Sequence, residues 1–528
     1  MQIRTPPVPQ RQPLSWILAL VLAGFIFHDL FYFADYGNWF IHPHQFEIHL
    51  SQLLADGSQS GLRSFLNIFR QFDPTENRPR FLAYAIIWAN LNLRMGLYEW
   101  FVLYPPFSIG WILELLVGPF LLFRLVRNMS ESTAAGWVAL IVYVTSIGFL
   151  SGFAMALMPS KPLTNVVFIA SLWLLSEARR SAARGQLLHE VPRARRTMIA
   201  LGAVLLAGLF LDEVPLFAFV LPLLFYGELF FPPNFDRAEL GRAGRAWLPL
   251  MLPPLLFLLF VVLILPSITQ ELFGYRFDLI GSVLVNREAA ESGKTFFAGK
   301  LYGFGWESLA SNFASLIGTA LAPWRIAPLA AHPAGGGVVT GMQLSAGLVA
   351  ISALFVAAAL LLGWKGRRPA APYLLRSAAC ALLFILFMSL LSGRHVPFIT
   401  GYVYGCGLAV FLAMIVGLAF AAAAGAPARA AIAACAVYMG VVQLDNFDAI
   451  NRNWISVHNE KLTRPSYEKS LPVAQDARAT TRQEINAIWE AWRRGELDAY
   501  LSRNLISSGS VFLIFELRHR DKWRARQG

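Results

Sequence analysis

The chain has 528 residues, of which 56% are hydrophobic and only 14% are charged. A soluble domain has a charged fraction of about 25%, so the composition excludes a soluble protein and indicates an integral membrane protein. The net charge of +12 is compatible with nucleic-acid binding, but basic loops beside membrane spans explain it better, and we expect no nucleic-acid partner.

Apolar stretches long enough to cross a membrane recur along the chain. A spanning helix needs about 20 apolar residues for a hydrocarbon core about 30 Å thick. We therefore predict an all-α polytopic protein with about eleven transmembrane helices in a membrane domain, residues 1–445. The predicted spans are 14–35, 105–125, 133–153, 162–178, 197–212, 214–230, 247–267, 343–363, 372–391, 398–419 and 429–445.

The first predicted span ends in titratable residues. Asp29 and Asp35 lie at its outer end, where a carboxylate is costly enough that a functional role is the default hypothesis and pairing with another helix is the alternative. Four potential ligands of a divalent metal follow, although their spacing fits no strict metal signature and interfacial histidines commonly only anchor a loop: His42, His44, Glu47 and His49.

Further polar groups lie inside or between the later spans. Glu114 falls within the second span, and we interpret it as a packed intramembrane residue outside the site. Asp212 and Glu213, in "DEVP", occupy the turn of a tight helical hairpin at one face of the membrane.

Two long loops and a tail complete the organisation. Loops 36–104 and 269–342 are predicted on the outer side, the first with interfacial helices. Lys and Arg concentrate in the alternate loops, which places the N-terminus inside and the C-terminus outside. The tail, 446–528, is predicted to be a small extracytoplasmic α/β appendage with an amphipathic helix and a strand at 510–517.

The order of these motifs resembles that of the GT-C superfamily of membrane glycosyltransferases, which includes protein O-mannosyltransferases and the aminoarabinose transferase of lipid A. In that family a carboxylate follows the first span, interfacial helices begin with a basic residue and proline, and polar motifs follow the second, third and fifth spans. The corresponding segments here are "FHDLFYFADY", "ENRPRF", "FRLVRN", "MPSKPL" and "FLDEVPLF". The resemblance covers mainly residues 14–230.

The resemblance implies a transferase that moves a sugar from a polyprenyl-phosphate donor to an extracytoplasmic glycan, lipid or protein, in a bacterial inner membrane. Asp29 or Asp35 would be the catalytic carboxylate. Cationic and histidine side chains on the outer face would bind the donor phosphate: Arg78, Lys161, Arg394 and His395.

One position departs from the family pattern. Many members carry an acidic residue between the third and fourth spans, where this chain has Lys161. This difference shifts the expected second carboxylate to Asp212 or Glu213. The sequence specifies no sugar and no acceptor, and it leaves a divalent metal open as a cofactor.

Two other functions stay open. An O-antigen polymerase or ligase is also a multispan enzyme acting on polyprenyl-linked sugars, although its expected outer-loop arginine pairs are sparse in this chain. A multispan transporter would also place charges in its spans, but such proteins commonly show internal repeats with paired breaks, and we find no convincing repeat in the sequence.

Overall fold

The computed structural model describes a helical membrane bundle. Its described residues are 17–26, 80–83, 85–86, 89, 109–154, 160–183, 185–231, 237–273, 316, 370–392, 406–463, 487–488 and 490–504. Within these ranges the regular structure is helical and no strand occurs. The strand predicted at 510–517 lies outside the described residues, as does the predicted span 343–363.

The helices follow the predicted apolar segments closely. We number them α1 (Ile17–Ile26), α2 (Ile109–Ser130), α3 (Thr133–Val144), α4 (Ile147–Ala154), α5 (Ser160–Ser181), α6 (Ala194–Leu209), α7 (Leu221–Tyr226), α8 (Arg237–Leu259), α9 (Leu265–Phe273), α10 (Ala370–Ser392), α11 (Cys406–Ala422), α12 (Ala426–Thr463) and α13 (Leu497–Arg503). A π-helical turn, Phe260–Ile264, joins α8 to α9, and 3₁₀ turns at Val214–Phe219 and Gly227–Leu229 flank α7.

Four helices in the described part of the chain are long and apolar enough to cross a membrane: Ile109–Ser130, Gly241–Glu271, Ala370–Ser389 and Ala426–Asp445. Several shorter apolar helices accompany them, among them Thr133–Val144 and Cys406–Ala422. These helices agree with the predicted membrane character, and the count of eleven spans stays a prediction.

Helix α11 is the centre of the bundle. Its 17 residues are apolar around the whole circumference, and all but Val416 are buried. A helix that is hydrophobic on every side has no face for water and is typical of a protein core. It packs against α2, α3, α5, α10 and α12, which surround it.

Two predicted spans are interrupted by polar or proline residues. Thr145 and Ser146 separate α3 from α4, and their hydroxyls hydrogen-bond the carbonyls of Ile141 (2.7 Å) and Tyr143 (2.6 Å). Such side-chain bonds compete with the helical ladder. The predicted span 214–230 begins as a 3₁₀ turn, Val214–Phe219, that contains Pro215.

Charged residues collect at the two ends of this bundle. At one end, Arg179 pairs with Glu228 (Nε–Oε1, 3.0 Å), and Arg180 donates to Asn128 (2.8 Å); we call this the Arg179 end. The opposite end carries Asp212, and we call it the Asp212 end. Helix α5 connects the two over its 22 residues. That length corresponds to about 33 Å, close to the thickness of a hydrocarbon core.

Candidate functional site

The turn after α6 gathers side chains from three segments that are distant in sequence. Helix α6 ends at Leu209, and the next residues carry Asp212 and Glu213 out of the helix. The segment that begins at Arg80 lies beside this turn, where the Leu82 N–H donates to the Phe210 carbonyl (3.0 Å). The first turn of α5 supplies Ser160 and Lys161.

Asp212 is the common partner in this cluster. Its Oδ1 lies 2.7 Å from the Arg80 guanidinium and accepts the Glu213 N–H at 2.8 Å. Its Oδ2 accepts hydrogen bonds from the Lys161 ammonium at 2.7 Å and the Ser160 hydroxyl at 3.1 Å. Arg80 also pairs with the Glu213 carboxylate. We call Arg80, Lys161, Asp212 and Glu213 the charged cluster.

The members of the charged cluster differ in their access to solvent. The side chains of Asp212 and Lys161 are 1% and 4% exposed, whereas those of Arg80 and Glu213 are 15% and 14% exposed. The Asp212–Lys161 pair is therefore the buried part of the cluster, and the Arg80–Glu213 pair is its more accessible edge.

The charges around Asp212 keep it ionised. Burial alone would raise the pKa of this carboxyl, but the positive charges of Arg80 and Lys161 outweigh that effect. Together with hydrogen bonds from Glu213 and Lys161, they hold the pKa of Asp212 well below its usual range. The cluster therefore contains two cations opposite an aspartate that is ionised at neutral pH.

Local sequence explains why Lys161 needs this partner. It is the second residue of α5, and Pro162 suits the first helical turn because no N–H is needed there. The N-terminus of a helix carries partial positive charge, which disfavours a lysine and favours a carboxylate. Asp212 at this position offsets both the ammonium and the exposed N–H groups of the helix end.

An aromatic group holds the Arg80 segment in place. The Phe81 ring packs edge-on against Phe260 (5.4 Å between centroids) and Phe210 (6.2 Å). Phe260 begins the π-helical turn between α8 and α9, and Phe210 lies just before the acidic turn. This packing ties the position of Arg80 to both elements.

A second polar group lies deeper in the bundle. Glu114 of α2 is fully buried, and its Oε1 accepts hydrogen bonds from the Tyr143 hydroxyl (2.6 Å) and from the Asn165 amide. Asn165 is one helical turn from Lys161 on the same face of α5. Glu114 was predicted to be a packed intramembrane residue, and the structure agrees with that interpretation.

The structure brings three of the five sequence motifs together and separates a fourth. "ENRPRF", "MPSKPL" and "FLDEVPLF" meet in the charged cluster. "FRLVRN" lies at the Arg179 end instead, where Asn128 donates to Glu177 (2.8 Å). Glu177 is 16 residues after Lys161 on α5, which corresponds to about 24 Å.

Most predicted site residues lie outside the described residues. These are Asp29, Asp35, His42, His44, Glu47, His49, Arg78, Arg394 and His395. Of the predicted set, the structure describes Lys161, Asp212 and Glu213, and it brings them into contact. The described part of the chain contains no group of three His, Cys, Asp or Glu residues that could hold a metal.

Arg80 was missed by sequence reasoning. The prediction chose Arg78 from "ENRPRF", two residues earlier, because the basic residue before Pro79 fits the family pattern. No sequence signal separated the two arginines, because Arg80 is set apart by the packing of the neighbouring Phe81 against Phe210 and Phe260.

The arrangement can bind an anion and accept a proton. A guanidinium with five N–H donors recognises phosphate oxygens, and a neighbouring carboxylate can take a proton from a hydroxyl. No family model, curated protein or solved structure matches this chain.

Proposed function

We propose that this chain is a membrane glycosyltransferase that moves a sugar from a polyprenyl-phosphate donor to a hydroxyl acceptor outside the membrane. The observation that supports the proposal is the contact among Arg80, Lys161, Asp212 and Glu213 at one end of the bundle. These residues come from three of the motifs on which the GT-C resemblance rests.

The exposure of the charged cluster supports a division of roles. The Arg80–Glu213 edge is the part that a substrate can reach, so Arg80 is the candidate phosphate ligand. The buried Asp212–Lys161 pair positions that edge, because Asp212 contacts Arg80 and the Glu213 backbone at once. Binding of a phosphate would exchange one carboxylate partner of Arg80 for a phosphate oxygen.

The chemistry needs both a cation and a carboxylate. An acceptor hydroxyl attacks the anomeric carbon, the bond from that carbon to the phosphate oxygen breaks, and polyprenyl phosphate leaves with the bonding electrons. A guanidinium stabilises the charge that develops on the leaving phosphate. A carboxylate accepts the hydroxyl proton. Within the charged cluster Glu213 is the more accessible carboxylate, and Asp29 or Asp35 stays the predicted base.

The predicted outer-face residues complete the proposal. Arg78, Arg394 and His395 would add to the positive potential that receives the donor phosphate. Lys161 was predicted to bind phosphate directly, and its 4% exposure instead favours a positioning role. The acceptor is a glycan, a lipid or a protein on the outer side.

The test is release of the lipid carrier. The full chain in lipid nanodiscs is incubated with a panel of polyprenyl-phosphate sugars and candidate acceptors, and free polyprenyl phosphate is measured by mass spectrometry. We expect wild-type release from at least one donor and a loss of about 10²-fold or more in Arg80→Gln. Arg80→Lys should be intermediate, because an ammonium keeps the charge and lacks the bidentate fork.

Arg179→Gln is the matched control. Arg179 also pairs with a glutamate, but it lies at the opposite end of the bundle and is 37% exposed. Release should be nearly unchanged in this variant. Full release by Arg80→Gln would refute the assignment of Arg80. Movement of a solute across the membrane, with every sugar–phosphate bond intact, would refute the transferase and favour a transporter.

A further inference from the structure

The strongest unexplained feature is a pair of buried oxygen atoms between α2 and α5. Glu114 Oε2 and Asn165 Oδ1 are both buried, and neither has a hydrogen-bond partner among the described residues. Both side chains are fully buried, at 0% exposure. A buried polar atom without a partner costs about 1–3 kcal/mol, so two such atoms on side chains that hydrogen-bond each other require an explanation.

The two orphan atoms belong to groups that already touch. The Asn165 amide N–H donates to Glu114 Oε1, and the Tyr143 hydroxyl donates to the same oxygen at 2.6 Å. Each group thus uses one of its polar atoms in the contact and leaves an acceptor unused. Two acceptors cannot satisfy each other unless a proton lies between them.

Among the described residues, the absence of a cation paired with Glu114 also indicates that this carboxyl carries a proton. No lysine or arginine in the described part of the chain forms an ion pair with Glu114. An ionised carboxylate buried in an apolar bundle without a cation is strongly disfavoured. The hydrogen bonds from Tyr143 and Asn165 are neutral, so they reduce this cost without removing the charge.

We propose that Glu114 is a buried proton-binding site, in which Oε2 carries a proton that is shared with Asn165 Oδ1. The proton comes from hydronium: one O–H bond of hydronium breaks, an O–H bond forms on Oε2, and water is released. One hydrogen bond then satisfies both orphan atoms and closes a cyclic acid–amide pair between α2 and α5.

The titratable neighbours of Glu114 come from three helices. Tyr143 approaches from α3, and Cys406 from α11 lies within electrostatic reach of Glu114, Tyr143, Lys161 and Asp212. Lys161 lies one turn before Asn165 on α5, or about 6 Å along the helix axis. Lys161 is already paired with Asp212, so its charge is compensated at the end of the bundle rather than at Glu114.

A metal ion fits the site less well. Hard cations take several oxygen ligands, commonly six or more for Ca²⁺ and Mg²⁺. The unpaired oxygens of the described residues at this place are two, Glu114 Oε2 and Asn165 Oδ1. A proton needs one donor atom and one acceptor atom, and the site supplies both.

Infrared difference spectroscopy tests the proposal directly. Wild-type protein and Glu114→Gln are compared in nanodiscs at neutral pH, in H₂O and in D₂O. We expect a carboxylic-acid C=O band in the wild type that shifts in D₂O and is absent from Glu114→Gln. Glutamine is neutral and of equal size, so the thermal midpoint of Glu114→Gln should lie within about 4 °C of the wild-type value.

A second variant separates a shared proton from an isolated one. Asn165→Val removes the amide, so the carboxylic-acid band should persist and move to higher wavenumber as its hydrogen bonds weaken. If Glu114→Gln cannot be purified, the shift of the carboxylic-acid band in Asn165→Val tests the proposal instead. Absence of a band that depends on Glu114 would overturn the proposal. A thermal midpoint that rises with NaCl in the wild type, but not in Glu114→Gln, would replace the proton with a sodium ion.

Discussion

Asp212 contacts every other member of the charged cluster. It joins the Arg80 segment, the first turn of α5 and the turn after α6 through contacts of 2.7 to 3.1 Å. Since its side chain and that of Lys161 are almost wholly buried, substitution at either position leaves the other without its counter-charge.

We expect Asp212→Asn to destabilise the folded bundle by about 3–5 kcal/mol, because the substitution strands a buried ammonium. Lys161→Met should cost less, since Arg80 continues to neutralise Asp212. The measurement is the free energy of unfolding in mixed detergent micelles. The double variant Asp212→Asn, Lys161→Met should be more stable than the sum of the single effects predicts, by about 1–3 kcal/mol.

Strict additivity of those two substitutions would contradict a direct Asp212–Lys161 interaction. Glu490→Gln is a suitable control, because Glu490 is an exposed residue of the tail. It should change stability by about 0.5 kcal/mol or less.

Unusual local chemistry marked three of the single residues that the structure places in contact. Lys161, Asp212 and Glu213 stood out because charges are rare in apolar surroundings, and the structure brings all three together. The choice between Arg78 and Arg80 depended on where the segment docks against Phe210 and Phe260. That docking is a tertiary contact, which no pattern of neighbouring residues determines.

At the scale of whole elements, the helix α11 packs so closely that side-chain size is critical. An added Cβ at Gly417 would lie 2.8 Å from the Ala135 carbonyl oxygen and 2.8 Å from the Ala139 Cβ. The first is a backbone atom of α3 and the second is the Cβ of an alanine, so neither can move away by rotation of a side chain. A glycine is therefore required for the close approach of α11 and α3.

Gly417→Ala is expected to destabilise the protein by about 1–3 kcal/mol, because overpacking forces the two helices apart. Gly244→Ala in α8 is the matched control, since nothing in the described structure lies within 4 Å of its added Cβ. This control should be neutral or stabilising by up to about 1 kcal/mol through helix propensity. Thermal midpoints of both variants in one detergent check the contrast, and equal shifts would argue against the tight α11–α3 contact.

Helix positions were predictable because long apolar runs must be helical in a membrane. The predicted span 372–391 differs from α10 by only a few residues. The break at Thr145 and Ser146 was missed, because two hydroxyl residues in an apolar run are common and only their bonds to Ile141 and Tyr143 reveal the interruption. The π-helical turn at Phe260–Ile264 leaves no mark in hydropathy at all.

At the scale of the whole molecule, the two charged ends define an axis about 33 Å long. The Arg179 end carries the basic loops that the positive-inside rule assigns to the cytoplasm, and the Asp212 end would then face outward. The sequence predicted this orientation from loop composition. The structure adds that residues predicted on the same side do meet at the same end, as Arg179 and Glu228 do.

Orientation can be measured on intact cells. Ser181→Cys, in a Cys435→Ser background that removes the exposed native thiol, should react with a membrane-impermeant maleimide only after the cells are permeabilised. Cys380 and Cys406 are buried and should stay unlabelled. A phosphatase fused to the C-terminus should be active outside the cytoplasm. Labelling of Ser181→Cys in intact cells would reverse the predicted topology.

The central position of α11 also has a consequence for how the chain is made. Helices α2, α3 and α5 are synthesised early, whereas α11 begins about 180 residues after α7 ends, a delay of roughly 10–40 s at the usual rates of translation. During that interval the surfaces that later enclose α11 face lipid. Gly417 is the position on α11 at which the helix later packs closely against α3. The early helices therefore enter the bilayer before their central helix, and α11 fills the centre of the bundle when it arrives.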